Sequence, residues 1–453
     1  MPRLLLLFLL LIAAFHASRV LREPRPDADR PMDFRTCYVG QDVLRRGQNP
    51  YDDATLKAGW QRIAQHEHLT SRTEPGLPNL PFLYPPWAAA LFGVSVGQLP
   101  YAVAWPLWYA LALLSLGLLA GLWPRVLRAE NAMQVPWWQF LLFGLALKGT
   151  VPALLTGQPT FAALALGVGA LAVAGGATSP LSGTAPAPLR RRGEPGNWGA
   201  LPVRRQLLAG LLLGLAAFKV TLLLPFVAWF IWWKQWRALA VAAAVVALLS
   251  ALAWHWAAFP SELLPTYQHL LAQVRAQSFD PSDPDYPLTQ GLTLRLELGN
   301  VLEWLQPGSS AAHPWLHPVL HGALWLLALA WLARQWRRGQ RLAGWYVFLV
   351  AGTLTLLTTY HLYYDAVLLL PLLALGRRLT RRAQLLLLLA LLPLLLPLNG
   401  LALALGNPTG LQILYFLPPL GLLGVLALLL ARPVAARHDF FVYPTHHPLP
   451  LAP

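Results

Sequence analysis

Five short stretches of this 453-residue chain carry polar groups at spacings that could handle a charged or hydroxyl-bearing ligand. Asp33-Phe34-Arg35-Thr36-Cys37-Tyr38 closely follows the first apolar run. An Asp33 held there would meet lipid headgroups at the membrane surface, although by position alone it reads as a solvated loop carboxylate, one of nine acids in residues 21–80. Leu83-Tyr84-Pro85-Pro86-Trp87 opens another run. Its double proline fixes an extended start without N–H donors, suited to a helix beginning or to plain interfacial anchoring. Gly157-Gln158-Pro159-Thr160 is a turn between two apolar runs, where Gln158 can donate and accept toward a polar headgroup or stay an exposed amide. Lys219 sits inside the apolar run of residues 206–231. Its burial would cost several kcal/mol unless a phosphate stood beside it or it snorkelled out from a break in the helix. His361 and Asp365, spaced i, i+4 in Tyr360-His361-Leu362-Tyr363-Tyr364-Asp365, share a helix face. They could bind an acceptor, hold a metal, or form one pair within an aromatic belt. Asp27-Ala28-Asp29 has the D-x-D form of a metal motif, a triplet common by chance.

The elements that must position these groups are membrane helices. The chain is 56% hydrophobic and 12% charged, where a soluble chain carries about 25% charged residues. Its apolar residues fall into runs long enough to match a bilayer core at ~1.5 Å per helical residue. Residues 3–18 read as a retained first helix, with Ala14-Phe15-His16-Ala17 leaving a cleaved signal peptide open. Further runs cover 81–98, 102–122, 137–155, 160–176, 206–231, 238–256, 316–333, 342–359, 362–376, 383–398 and 411–430. The single cysteine, Cys37, excludes an intramolecular disulfide framework.

Charge assigns the sides. Arg and Lys cluster in the short connections, 19 of the 34 near Arg125, Arg190, Arg204, Lys234, Arg334, Arg377 and Arg432. The long stretches 21–80 and 257–315 hold 15 of the 19 acids. This is the positive-inside pattern and not a nucleic-acid footprint, so the long loops face outside and no nucleic-acid partner is expected. Two runs conflict with a single crossing. Residues 206–231 have basic charge at both ends, which predicts a hairpin or two short spans broken near Phe218-Lys219, with Lys219 at the outer apex. Residues 81–98 must dip and return, or lie along the outer leaflet. Broken helices at membrane depth survive only inside protein or beside a cavity, so both breaks point to one outward-facing cavity. Phe34, Cys37, Tyr38 and Leu44 fit an amphipathic helix at the outer interface, ended by Gly47-Gln48-Asn49-Pro50.

Taken in order, these motifs resemble the polytopic glycosyltransferases of the GT-C class, and within it family 87, also known as domain-of-unknown-function family 2029. That family includes mannosyltransferases that use polyprenyl-phosphate mannose. The residues that carry the resemblance are Asp33-Phe34…Tyr38, the turn Gln48-Asn49-Pro50-Tyr51-Asp52, Tyr84-Pro85-Pro86, Gly157-Gln158, Lys219…Pro225 and His361…Asp365. Gln48 stands where the family turn has glycine. The resemblance implies transfer of a hexose from a lipid phosphate to an acceptor hydroxyl, with inversion. Such a reaction needs one carboxylate as general base, and Asp33 fills that role. It also needs positive charge at the leaving phosphate, from Lys219 first, with Arg35 or His361 assisting, or from a divalent cation. Gln158, Tyr38 and Asp365 would orient sugar or acceptor, and Tyr51 joins the substrate-binding set.

The expectation is therefore an all-α polytopic membrane protein of 11–13 transmembrane or re-entrant helices. One glycosyltransferase domain would fill residues 1–431, with outer loops 21–80 and 257–315, a cytoplasmic linker at 177–205 and a cytoplasmic tail at 432–453. Its partners would be a polyprenyl-phosphate sugar, a glycan or glycolipid acceptor and the lipid bilayer, with the site facing the periplasm or cell exterior of a plasma membrane. The residues fix no cofactor and name no metal ligand, and they leave a divalent cation open. A lipid-linked oligosaccharide ligase or polymerase, resting on Arg275, Arg295 and His313, and a transporter or flippase are the competing readings.

Overall fold

The computed structural model describes residues 3–22, 32–69, 81–130, 132, 134–175, 202–277, 296–299, 301–302, 313, 315–340, 342–359, 361–396 and 417–434. Asp27-Ala28-Asp29, Tyr360, Arg295 and most of the 177–205 linker lie outside them. The described chain is helical and without strands. It runs through α1 (Arg3–Arg22), α2 (Met32–Arg45), α3 (Asp53–His66), α4 (Pro86–Val94), α5 (Tyr101–Ala129), α6 (Trp137–Ala146), α7 (Thr150–Thr156), α8 (Thr160–Gly175) and α9 (Val203–Ala216). It continues through α10 (Leu224–Trp232), α11 (Trp236–Trp256), α12 (Pro260–Gln277), α13 (Leu316–Arg337), α14 (Gly344–Thr358), α15 (Leu372–Gly376), α16 (Arg381–Leu395) and α17 (Leu417–Ala431).

Among the described residues, four helical stretches are long and apolar enough to cross a bilayer: Tyr101–Ala129, Val203–Leu222, Trp236–Trp256 and Leu316–Arg337. The pair α6 and α7, bent by 78°, can make a fifth span, and Leu6–Ser18, Thr160–Gly175, Gly344–Thr358 and Leu417–Ala431 are shorter apolar helices. The protein is thus an all-α polytopic membrane protein. Several of the apolar runs are broken inside the bundle. Residues 137–155 were expected as one span, yet they break at Leu147–Gly149, where Gly149 packs against the Tyr363–Tyr364 backbone. Residues 362–376 form a 3-10 segment, Tyr363–Leu369, followed by the short α15.

The run 206–231 is interrupted as its charge required. A 3-10 segment, Ala217–Leu222, separates α9 from α10, and Lys219 leaves helical geometry at φ −115°, ψ 74°. Gly210 lies against Ala238 and Val241, and Gly214 against Ala242 and Val245. α9 and α11 therefore run in the same direction and pack on each other, while α10 returns along α14. Gly210 and Gly214 form a G-x-x-x-G pair, which lets two backbones approach closely where apolar burial gives no driving force. α4 starts beside the same break, with Trp87 Nε1 donating to the Ala217 carbonyl at 2.9 Å, and ends with Gly93 against Trp256. Nine residues reach only ~14 Å, too short to cross.

Two loop expectations are corrected. α2 is amphipathic but does not lie on the surface: Phe34 through Gln41 are all buried, because α3 and α4 pack over it. The loop 257–315 contains the 18-residue helix α12. Residues from its far end also pack inward, with Leu296 N–H donating to the His361 carbonyl at 2.9 Å and Leu298 N–H to the Leu357 carbonyl at 2.8 Å. α1 is integrated into the bundle, and His16 Nε2 lies 3.1 Å from the Leu395 carbonyl.

Candidate active site

The break at Lys219 brings a cation to three distant elements. Lys219 Nζ donates to Asp365 Oδ1 at 2.6 Å and to the Thr160 hydroxyl. Thr160 Oγ1, on the first residue of α8, donates to the same Asp365 oxygen at 2.8 Å. His361 Nδ1 meets the other oxygen, Oδ2, at 2.8 Å. The Tyr364 ring lies under Lys219 at 4.8 Å, adding a cation–π contact. Asp365 and His361 are buried, and the Lys219 side chain keeps 11% of its surface exposed. An ammonium and a carboxylate are tolerated at this depth because each is paired and hydrogen-bonded.

A second carboxylate faces this cluster. Asp33 is half-buried at the start of α2 and looks toward the side chains of Thr156 and Gln158. Burial pushes its carboxyl up from the ordinary carboxylate range. Thr156, Gln158 and the charge of Lys219 pull it back, while Asp365 adds to the rise. One site thus holds an ion-paired carboxylate and a second carboxyl that makes no ion pair among the described residues.

The Gly157-Gln158 turn holds the two parts together. α7 ends on Gly157 in the left-handed region, φ 71°, and Trp108 Nε1 donates to its carbonyl at 2.9 Å. A methyl group at Gly157 would lie 2.7 Å from Phe34 Cβ and from the Trp105 ring. Glycine therefore lets α2 come close enough to set Asp33 beside Gln158. Gln158 is buried, with its Oε1 3.4 Å from the Tyr84 hydroxyl. Tyr84 is fixed in turn by Tyr51, whose hydroxyl donates to the Tyr84 carbonyl at 3.1 Å.

Of the residues singled out in the sequence, Asp33, Gln158, Lys219, His361 and Asp365 come together. Tyr51 reaches the site only through Tyr84. Arg35 does not reach the Lys219 cluster: its guanidinium covers the Trp60 ring at 5.1 Å. Two residues along a helix point to nearly opposite sides, so Arg35 cannot share the face of Asp33. Tyr38 donates to the Leu99 carbonyl at 2.6 Å and packs against Tyr101, a structural place rather than a ligand-facing one. Lys148 is buried, with the Tyr363 ring 5.6 Å from its Nζ. Thr160 and Thr156 are the polar members that sequence reasoning missed. Thr160 stood within a quoted motif, two residues after the glutamine, and its position at a helix start was the available signal. His361 Nε2 is buried and has no hydrogen-bond partner among the described residues. Among the described residues no group of three or more His, Cys, Asp or Glu is placed to hold a metal ion.

Fold and site together define a polytopic membrane protein with a polar cluster, built at helix breaks, that can accept a proton from a hydroxyl and meet an anion with a lysine. The profile of glycosyltransferase family 87 matches residues 82–359, more than half of the chain. The chain belongs to that family and is a membrane glycosyltransferase. The matched stretch contains Gln158 and Lys219; Asp33 precedes it, and His361 and Asp365 follow it closely. No curated protein and no solved structure matches the chain.

Proposed function

We propose that the protein transfers a hexose, with mannose as the first candidate, from a polyprenyl-phosphate sugar to the hydroxyl of a glycan or glycolipid acceptor, inverting the anomeric carbon. Asp33 takes the proton of the acceptor hydroxyl as its oxygen forms the new bond to that carbon. The bond from the anomeric carbon to the phosphate oxygen breaks, and polyprenyl phosphate leaves as an anion facing Lys219. Thr160 and Asp365 hold the ammonium in place, so little reorganisation is needed as negative charge develops. Gln158, supported by Tyr84 and Tyr51, orients the sugar or acceptor.

What supports this reading is an Asp33 carboxyl beside Thr156 and Gln158 and within reach of the charges of Lys219 and Asp365, which are themselves paired. An unpaired carboxyl and a fixed cation are the two groups the reaction requires. The basic clusters favour a plasma-membrane protein whose site opens to the periplasm or cell exterior, where the lipid-linked donor can slide in from the outer leaflet.

The test is transfer of labelled sugar in membranes containing the full-length protein, with a panel of polyprenyl-phosphate sugars set beside nucleotide sugars. Label entering a new product from one polyprenyl-phosphate donor, with the opposite anomeric configuration, is the expected outcome. Transfer from nucleotide sugars alone, or with retained configuration, would overturn it.

A further inference from the structure

At the end of the bundle that carries the Arg clusters, a groove of about 520 Å³ opens between α1, α6, α15 and α16. Its mouth is polar, formed by Arg377, Arg381, Gln139 and Gln384. Its body is apolar, lined by Leu388, Leu391 and Leu395 of α16 with Leu9 and Phe143 opposite. The α16 positions recur three or four residues apart, so they form one stripe along the helix. From Arg381 to Leu395 that stripe runs ~21 Å, more than one leaflet of a hydrocarbon core ~30 Å thick.

The mouth carries uncompensated positive charge. Arg377 is held across it, with Nη1 donating to the Gln134 carbonyl at 2.6 Å and Nη2 to Gln139 Oε1 at 2.8 Å. Neither Arg377 nor Arg381 has a carboxylate partner among the described residues. Arg381 and Arg382 also open α16, whose first turn has no acid, and cations there oppose the helix dipole. An anion at the mouth would relieve both conditions, and an acyl chain would fill the stripe.

We infer that this groove binds one anionic phospholipid of the leaflet at the Arg-rich end, with its phosphate at Arg377 and Arg381 and an acyl chain along α16. The Arg377 and Arg381 mouth of the groove is separate from the Lys219 cluster, while its Leu395 end comes near Lys148, and the inference does not rest on the proposed reaction.

The experiment is native mass spectrometry of the full-length protein, delipidated in detergent and then offered phosphatidylglycerol or phosphatidylcholine. One retained phosphatidylglycerol per chain is expected, with phosphatidylcholine held far less. Arg381→Ala and Arg377→Ala should each lower that retention about fivefold, as loss of one membrane-facing charge does. Arg381→Lys should keep most of it, and Leu388→Trp, which fills the groove without touching the charge, should lower it too. Arg381 is exposed, so its variants are expected to fold, and their unfolding midpoints in detergent check this. Equal retention of the two lipids, or undiminished retention in all these variants, would mean a non-specific lipid shell and overturn the inference. Inorganic phosphate alone raising the unfolding midpoint as far as phosphatidylglycerol does would overturn the assignment to a lipid.

Discussion

Lys219 Nζ lies 2.6 Å from Asp365 Oδ1, across 146 residues of chain, and ties the apex of the α9–α10 hairpin to the 3-10 segment before α15. Both partners sit where the helix is interrupted, and Thr160 bonds to each of them. The pair therefore fixes the geometry of the break as well as its charge.

Removing one partner leaves the other buried and unpaired. Lys219→Ala should destabilise the protein by about 3–5 kcal/mol, read as a lower unfolding midpoint in detergent. The double variant Lys219→Met, Asp365→Leu removes both charges and should recover much of that midpoint. Transfer should stay low in both, by about 10²–10³-fold if Lys219 faces the leaving phosphate. Full activity in the double variant would separate the ion pair from catalysis.

The pH dependence of transfer should report Asp33. A general base must be deprotonated, so activity rises as pH climbs through its pKa. Burial places that pKa above the ordinary aspartate value of 3.8. The acid limb of kcat/KM should therefore lie above that of an exposed aspartate, and it should vanish in Asp33→Asn. An acid limb unchanged in that variant would assign the titration to another group.

Gly157→Ala tests the turn. A left-handed backbone with a side chain costs about 1–2 kcal/mol. The added methyl also meets Phe34 Cβ at 2.7 Å and must shift α2. Both a lower midpoint and a loss of transfer are expected, whereas Gly117→Ala, whose added methyl meets open space, should change neither.

Glu130, just past the end of α5, offers a stability test away from the site. It accepts from Trp229 Nε1 at 2.6 Å and from the Trp345 N–H at 2.9 Å, and burial pushes its carboxyl up to about 7 from 4.5. A folded pKa above the unfolded one gives stability that is complete below the unfolded value and is lost as pH rises through the folded value. The unfolding midpoint should fall as pH rises from the unfolded value of 4.5 up to about 7, and Glu130→Gln should flatten that fall. An identical slope in Glu130→Gln would refute the assignment.

Membrane residence and the break at Lys219 were legible because charge cannot sit at both ends of a single crossing without conflict. Gln158, Lys219, His361 and Asp365 stood out as polar residues within or beside apolar runs. Thr160 did not, since a threonine in a membrane helix usually bonds back to its own turn. Arg35 was drawn toward the site by its nearness in sequence to Asp33, a nearness that helical geometry cancels. The depth of α2 was hidden because its amphipathic pattern fits a membrane surface as well as a protein groove. The bend at Lys148-Gly149 left only a faint mark in the sequence, because the contact that requires it, with Tyr363 and Tyr364, comes from far along the chain.

The most direct measurement is single-turnover transfer from a polyprenyl-phosphate sugar by full-length Asp33→Asn, with donor binding measured on the same preparation. A drop of about 10²–10⁴-fold in the transfer rate with donor binding retained is expected for loss of the general base. Transfer at the wild-type rate would contradict the assignment of Asp33 as the base.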